Sequence, residues 1–311
     1  IQCTKLGIKS LNPIPFGVRR SIFSSRKSGV AAIVYFCFMR VLQSLIRWYV
    51  QASFHVALAL LCFLAFTAGI TGVEVPRAYY GLLFFASVAG YNAIKYGAEP
   101  WKRGQVFRSR SRKVLAISVM SLLVAMVFAL FVSLHTLLLL ACAAAVAALY
   151  ALPVLPGFRN FRSFGLVKVP LVALVWVHLT VWIPLWEQGP FHRWDLVLEG
   201  VQRGLWVCLL MLPFEIRDMA TDPPQLRTWP RRWGLPTTRL IGWDGALVFA
   251  LMTLLKDSLS RPELLVKVLA ALFMGWAIGY QTRKKKGFFA ALWVEAVPIA
   301  SFLLWKVLDM V

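Results

Sequence analysis

Acidic side chains are scarce in this sequence, with 13 Asp and Glu against 34 Lys and Arg. Cysteine is also rare, and the five cysteines form no CxxC pair. That usage argues against a disulfide framework or a zinc site and for packing roles. The patterns G-x-x-x-x-G-K-[ST], G-x-G-x-x-G and H-E-x-x-H do not occur. The nucleotide-binding and zinc-protease chemistries that depend on them are therefore not predicted.

Apolar residues, by contrast, are abundant: 59% of the chain is hydrophobic and the mean hydropathy is +0.70. One soluble domain cannot bury that much apolar surface, so the composition predicts an integral membrane protein. The formal charge of +21 would also suit a nucleic-acid partner. However, the basic residues fall in short clusters between apolar runs, as they do in loops at a membrane surface. We therefore expect contact with membrane lipids and no nucleic acid.

Apolar stretches long enough to cross a bilayer predict an all-α protein with about nine transmembrane helices in one domain, residues 39–311. The third and fourth stretches meet at Ser133-Leu134-His135, where they would form a tight hairpin. The stretches cover residues 53–73, 78–97, 114–134, 135–156, 166–186, 196–214, 237–255, 263–281 and 288–308.

Every second loop between these stretches is basic, which predicts an orientation. By the positive-inside rule, the amino end and the basic loops face the cytoplasm, or its organellar equivalent, and the carboxyl end faces the far side. We expect a bacterial inner membrane. The basic loops carry Lys102, Arg103, Arg108, Arg110, Arg112 and Lys113, then Arg159, Arg162 and Lys168, then Arg227, Arg231, Arg232 and Arg239, and finally Arg283 to Lys286.

Residues 1–38 form a separate basic segment without any acidic residue. Its cations among serines are typical of a transit peptide. A second interpretation is favoured, in which the segment is translated upstream sequence and Met39 is the true start. The sequence leaves open whether the mature protein contains residues 1–38.

Three carboxylates lie at the end of the sixth apolar stretch. Glu215, Asp218 and Asp222 are spaced i, i+3, i+7 and so share one helix face, which Pro223 then ends. Carboxylates at a helix carboxyl end oppose the helix dipole, and at a membrane edge they need a compensating cation. Arg217 and the arginines beyond the prolines could supply it, as could Mg²⁺ shared with phosphate oxygens. A helix end capped only by its own salt bridges is the simpler alternative.

The segment "EIRDMATDPPQLRTWPRRWG" resembles the second aspartate-rich motif of the UbiA-type intramembrane prenyltransferases. The resemblance covers about 39–311 and implies a nine-helix bundle. It implies transfer of a prenyl chain from an isoprenoid diphosphate to a lipid-soluble acceptor, aromatic or a quinone precursor. It also implies that Asp218, Asp222 and Arg217 are catalytic. Glu215 would join the two aspartates in binding Mg²⁺, and Arg217 would orient the diphosphate.

The rest of the resemblance is less regular. Asn92 occupies the place of the asparagine that opens the first aspartate-rich motif, but Ala93 and Tyr96 replace its first two aspartates. Lys95 stands inside the former metal site and would repel a second Mg²⁺. We expect six residues to bind the substrate, three of them from the resemblance and three as cations that would replace the charge of a second metal ion. These are Asn92, Lys95, Lys102, Arg103, Tyr150 and Lys168.

These departures leave two interpretations. In one, a single Mg²⁺ on the sixth-helix acids suffices, with Lys95, Lys102 or Arg103 replacing the charge of the second. In the other, the protein binds an isoprenoid or quinone-like lipid without turning it over. The sequence carries no signal of oligomeric state.

Four other polar residues fall inside apolar runs. Asp244 and Glu295 are either structural or part of a proton relay, as a secondary transporter would require. His55 and His178 are predicted to be satisfied by hydrogen bonds between helices.

Overall fold

The computed structural model describes residues 26–96, 109–151, 165–186, 193–220, 222, 226–282 and 289–310, and all regular structure among these residues is helical. Contacts divide the chain into two units, 1–49 and 50–311. The first unit contains most of helix α1 (Arg26–Gln51). The apolar side chains of Phe38, Leu45 and Trp48 are exposed on it. Hydropathy does not predict α1, because its arginines and polar residues interrupt the apolar pattern.

The second unit contains nine helices among its described residues, and each overlaps one predicted apolar stretch. The largest difference lies in the seventh, which begins at Trp229 rather than at residue 237. Its first turns are too polar for a hydropathy pattern, and Gly234, with φ 80°, kinks the chain there. The helices are α2 (Phe54–Thr71), α3 (Arg77–Tyr96), α4 (Ser109–Ala129), α5 (Leu134–Ala151), α6 (Lys168–Trp186), α7 (Arg193–Asp218), α8 (Trp229–Met252), α9 (Arg261–Tyr280) and α10 (Phe289–Asp309).

Seven of these helices are long and apolar enough to cross a membrane: α2, α4, α6, α7, α8, α9 and α10. The apolar part of α5 is shorter, Leu134–Tyr150. Helix α3 has 20 residues, but Asn92 and Lys95 lower its apolar character. Nine helices are thus present in the described part of 50–311, while nine membrane crossings remain a prediction.

Helix α7 is central to the second unit and packs against α6, α8 and α9. Its Trp206 is fully buried and lies 4.9 Å, between ring centroids, from both Phe63 of α2 and Phe249 of α8. Phe66 meets the same indole edge to face at 6.0 Å. This aromatic packing ties three helices together in the middle of the unit.

A network of buried charges joins the first half of α7 to α9. Lys267 Nζ donates to Glu199 and Glu263, each at 2.7 Å, and to Gln202 at 2.6 Å. Arg203 also donates to Glu199, at 2.9 Å, and Lys267 and Arg203 have no exposed surface. The apolar pattern of the sequence does not predict this network. Along α7, the sixteen residues from Glu199 to Glu215 span about 24 Å, so the network lies far from the three carboxylates.

Candidate functional site

The end of α7 is fixed to the start of α6 by the segment that follows it. Trp229 Nε1 donates to the Leu166 carbonyl at 3.1 Å. The backbone at Arg227 lies so close to Gly165 that a Cβ there would overlap it, so glycine is required for this approach. The segment after the carboxylates is therefore seated on α6, which places α6 beside the acidic end of α7.

Asp222 lies just beyond α7 but continues its turn. Its backbone N–H donates to the Asp218 carbonyl at 2.8 Å, and Arg231 donates to the carbonyls of Met219 and Asp222 at 2.8 and 2.6 Å. Arg231 thus caps orphan carbonyls at the helix end. Asp222 Oδ2 is buried and has no hydrogen-bond partner within the described structure. A buried carboxylate oxygen in that state is incomplete without a cation or donor.

Glu215 makes a buried ion pair with Lys168 at the start of α6. The Lys168 Nζ to Glu215 Oε1 distance is 2.6 Å, and the Glu215 side chain has no exposed surface. Its other oxygen, Oε2, has no hydrogen-bond partner in the described part of the chain. Buried ion pairs require further hydrogen bonds to offset desolvation. The spare oxygen therefore leaves capacity for a ligand beside Lys168.

Asp218 makes an ion pair with its sequence neighbour Arg217. Arg217 Nε donates to Asp218 Oδ1 at 2.7 Å, both side chains are 26% exposed, and the guanidinium lies 5.0 Å from the centre of the Phe214 ring. Nowhere in the described ranges do three or more His, Cys, Asp or Glu side chains form a metal-binding group. Mg²⁺ commonly takes one or two carboxylates together with phosphate and water, so Asp218 and Asp222 are the candidate ligands here.

Asn92 and Lys95 lie at the end of α3 and contact the start of α2. Asn92 accepts from Ser53 Oγ at 2.8 Å and donates to the Ala52 carbonyl at 3.2 Å, while Lys95 Nζ donates to Ser53 Oγ at 3.1 Å. Ser53 adopts a left-handed φ of 64°, which these bonds hold in place. Both polar ends of the Asn92 amide are therefore engaged in joining two helices.

Lys95 also brings the α3 end into electrostatic contact with α7. It interacts with Arg217 and with Glu295 at the start of α10. On the other side of the site, buried Tyr150 interacts with Lys168 and with Tyr91 of α3. The structure therefore gathers both motif regions at one end of the helices. Lys102 and Arg103 lie outside the described residues.

Of the intramembrane polar residues, Glu295 belongs to this end and Asp244 does not. Asp244 is exposed on α8 and makes no contact that would join it to the site. The prediction for the histidines is confirmed: His55 bonds the Leu292 carbonyl at 2.9 Å and His178 the Leu139 carbonyl at 3.0 Å. Glu295 was left open by the sequence, because nothing near it in the chain is basic.

Comparison with solved structures identifies the fold. A UbiA homolog from Aeropyrum pernix K1 superposes with a TM-score of 0.57 at 16% identity, over 82% of this chain and 98% of that one. A membrane digeranylgeranylglyceryl phosphate synthase superposes with a TM-score of 0.52 at 11% identity, over 85% and 98%. Neither protein-family profiles nor curated proteins match the sequence.

The chain therefore has the UbiA-type fold, and the predicted all-α membrane architecture is confirmed. Together with the seven apolar helices, this fold makes the protein an integral membrane protein. The orientation of its ends and the particular membrane remain predictions. At such low identity the likeness describes the fold, so the activity must be argued from the site.

Proposed function

We propose that this protein transfers a prenyl chain from an isoprenoid diphosphate to a lipid-soluble acceptor within the membrane. The observation that carries the proposal is the convergence of Lys95, Lys168 and Arg217 with the acids Asp218 and Asp222 at one end of the UbiA-type bundle. Cations and carboxylates that are partly withdrawn from water suit a metal-bound diphosphate.

Each charged group has a defined task in this proposal. Lys168, held by Glu215, and Arg217, held by Asp218, present fixed donors to the diphosphate oxygens. Asp218 and Asp222 would hold one Mg²⁺, which neutralises charge on the leaving diphosphate when bound. Lys95 adds a third cation where the resemblance expects acids, and it substitutes for part of the charge of a second metal ion.

The reaction breaks the bond between the prenyl C1 and a diphosphate oxygen, and the electron pair leaves with the oxygen. Preorganised cations stabilise the charge that develops there without reorganising. The aromatic side chains of Tyr91 and Trp176 are hydrogen-bonded to each other, and Tyr91 lies near Tyr150 and Glu295, so these rings would favour an allylic cation. The acceptor then forms a bond to C1.

A second function, binding of an isoprenoid or quinone-like lipid without turnover, is favoured by one observation. Asn92, which the resemblance places with the substrate, has its amide occupied by Ser53 and Ala52. We do not propose a transporter. A proton-coupled transporter would need Asp244 and Glu295 to form a proton path. They do not, since Asp244 is exposed on α8 and Glu295 lies in the site.

Release of diphosphate by purified protein tests the proposed function. Protein in detergent is given geranyl, farnesyl or geranylgeranyl diphosphate with Mg²⁺, and diphosphate is quantified with and without EDTA. We expect release with at least one chain length and its loss with EDTA. Binding of all three without any release would favour the non-catalytic function. A failure to bind any of them would contradict both.

Lys168→Met is expected to weaken diphosphate binding about 10- to 100-fold, since a hydrogen bond to a charged group contributes about 1.5–3 kcal/mol. Alone, it should also destabilise the protein by about 3–5 kcal/mol, because Glu215 is left buried and uncompensated. Equilibrium binding of inorganic diphosphate and thermal unfolding measure the two effects.

The double variant Lys168→Met/Glu215→Gln separates the two effects. Because no lone charge remains, its stability should return towards that of the wild type, while diphosphate binding stays weak. Lys306→Met, an exposed lysine at the other end of α10, is the matched control. Wild-type binding by the double variant would show that Lys168 serves only to pair with Glu215.

A further inference from the structure

Glu295 lies at a break in α10. The helix starts with a π turn, Phe289–Val294, and continues as an α-helix from Val297. His55 of α2 bonds the Leu292 carbonyl within that turn, and the turn packs against α7. π turns inside helices are frequent at functional sites, because the extra residue redirects the side chains that follow. Here the residue that directly follows the π turn is a carboxylate.

The groups that face Glu295 come from two other helices. Lys95 and Arg217 interact with it electrostatically, and Tyr91 does so as well. Within the described structure, however, the half-buried Glu295 side chain makes no hydrogen bond and no ion pair. Lys95 instead contacts Ser53, and Arg217 contacts Asp218. The carboxylate therefore lies near two cations without being bound by either.

A structural role does not account for this arrangement. Intramembrane acids that join helices form direct contacts, as Glu199 and Glu263 do with Lys267 in this chain. An acid without such contacts, at the edge of a site rich in cations, is available to a ligand. A ligand with an acidic O–H would complete the hydrogen bonding of this carboxylate.

We propose that Glu295 accepts the proton of the prenyl acceptor, and that the acceptor is a phenol or hydroquinone whose O–H meets this carboxylate. This inference rests on the proposed prenyl transfer. As C1 separates from the diphosphate oxygen, the acceptor supplies the electron pair for the new bond to C1. The proton that the acceptor loses moves to a Glu295 oxygen and then to water. Arg217 interacts with both Asp218 and Glu295, so the proposed base lies near the groups proposed to bind the diphosphate.

The test quantifies three products in one reaction mixture. Wild-type protein and Glu295→Gln, in lipid nanodiscs, are given hydroquinone and the prenyl diphosphate that the wild type turns over. Diphosphate, prenylated hydroquinone and prenyl alcohol are quantified together. A general base contributes about 100- to 10,000-fold, so prenylated hydroquinone should fall at least about 100-fold in the variant. Diphosphate release should persist, with prenyl alcohol as its product, because the diphosphate-binding groups are unchanged.

Glu295→Asp and Asp244→Asn complete the design. The first keeps the carboxylate and should recover part of the transfer, and the second, exposed on α8, should match the wild type. If the ratio of prenylated hydroquinone to diphosphate is unchanged in Glu295→Gln, the assignment is overturned. A parallel loss of prenylated hydroquinone and diphosphate overturns it as well. Diphosphate release by the wild type with prenyl alcohol alone would also overturn it. No release by the wild type would instead refute the proposed function.

Discussion

Asp222→Asn is expected to lower diphosphate release about 100- to 1,000-fold, the usual cost of losing one group that stabilises developing charge. Asp222 Oδ2 is buried without a partner, and its backbone is held by Arg231 and by the turn from Asp218. The carboxylate is thus fixed before any ligand arrives. An amide at that position keeps the size of the side chain but removes the negative charge that attracts Mg²⁺.

Steady-state diphosphate release at several Mg²⁺ concentrations measures this effect. If Asp222 binds the ion, the variant should require more Mg²⁺ for half-maximal release, and its thermal stability should be little changed. Asp244→Asn, the same chemical change on the exposed face of α8, is the control and should behave as the wild type. Normal Mg²⁺ dependence in Asp222→Asn would exclude this carboxylate as a ligand.

Glu215→Gln distinguishes the two possible ligand sets. The motif resemblance implies that Glu215, Asp218 and Asp222 all bind Mg²⁺, whereas the structure pairs Glu215 with Lys168. On the two-carboxylate arrangement, Glu215→Gln should weaken diphosphate binding through Lys168 while leaving the Mg²⁺ requirement near that of the wild type. A rise in that requirement equal to that of Asp222→Asn would restore the three-ligand set.

The helices of residues 50–311 follow from the sequence because a bilayer imposes a length and an apolar composition on each crossing. The differences occur where that rule does not apply. Arg40 and Arg47 interrupt the apolar sequence pattern of helix α1, and the first turns of α8 carry Arg231 and Arg232. A hydropathy pattern detects apolar segments that suit a bilayer, and it does not detect helical backbone as such. Helical turns that carry polar residues are therefore not predicted by it.

The candidate site was only partly predictable. Spacing places Glu215 and Asp218 on one helix face, and the structure keeps both at the end of α7. Their partners depend on the fold, since Lys168 reaches Glu215 from another helix while Arg217 is a sequence neighbour of Asp218. The same is true of Glu295, whose cationic neighbours come from α3 and α7. Ion pairs between residues that are far apart in the sequence cannot be predicted from residue spacing.

The spacing of charged residues in the sequence does indicate the buried charge network between α7 and α9. Glu199 and Arg203 are spaced i, i+4, and so are Glu263 and Lys267. Such spacing places opposite charges side by side on a helix. Lys256, which follows α8, also pairs with Glu263, at 2.7 Å. Each of α7 and α9 thus carries a pair of opposite charges in its first half. Because charges inside apolar helices need partners, this pattern indicates that the two helices contact each other there.

Lys267→Met is therefore expected to destabilise the protein by about 3–5 kcal/mol, among the largest effects of any single substitution. The ammonium contacts Glu199, Gln202 and Glu263 at once and has no exposed surface. Methionine fills a similar volume, so the change removes the charge rather than the packing. Glu199 and Glu263 would then remain buried with fewer cations to offset their desolvation.

Thermal unfolding in detergent, monitored by circular dichroism, measures this loss, with exposed Lys306→Met as the control for the same chemical change. The double variant Lys267→Met/Glu263→Gln removes one cation and one carboxylate together. It should be more stable than Lys267→Met, since breaking a buried pair costs more than replacing both partners. Diphosphate release by folded Lys267→Met should remain near wild type at low temperature, because the network lies about 24 Å from Glu215 along α7. A double variant less stable than the single one would mean that Lys267 acts mainly through Glu199 and Gln202, and that Glu263 is held by Lys256 alone.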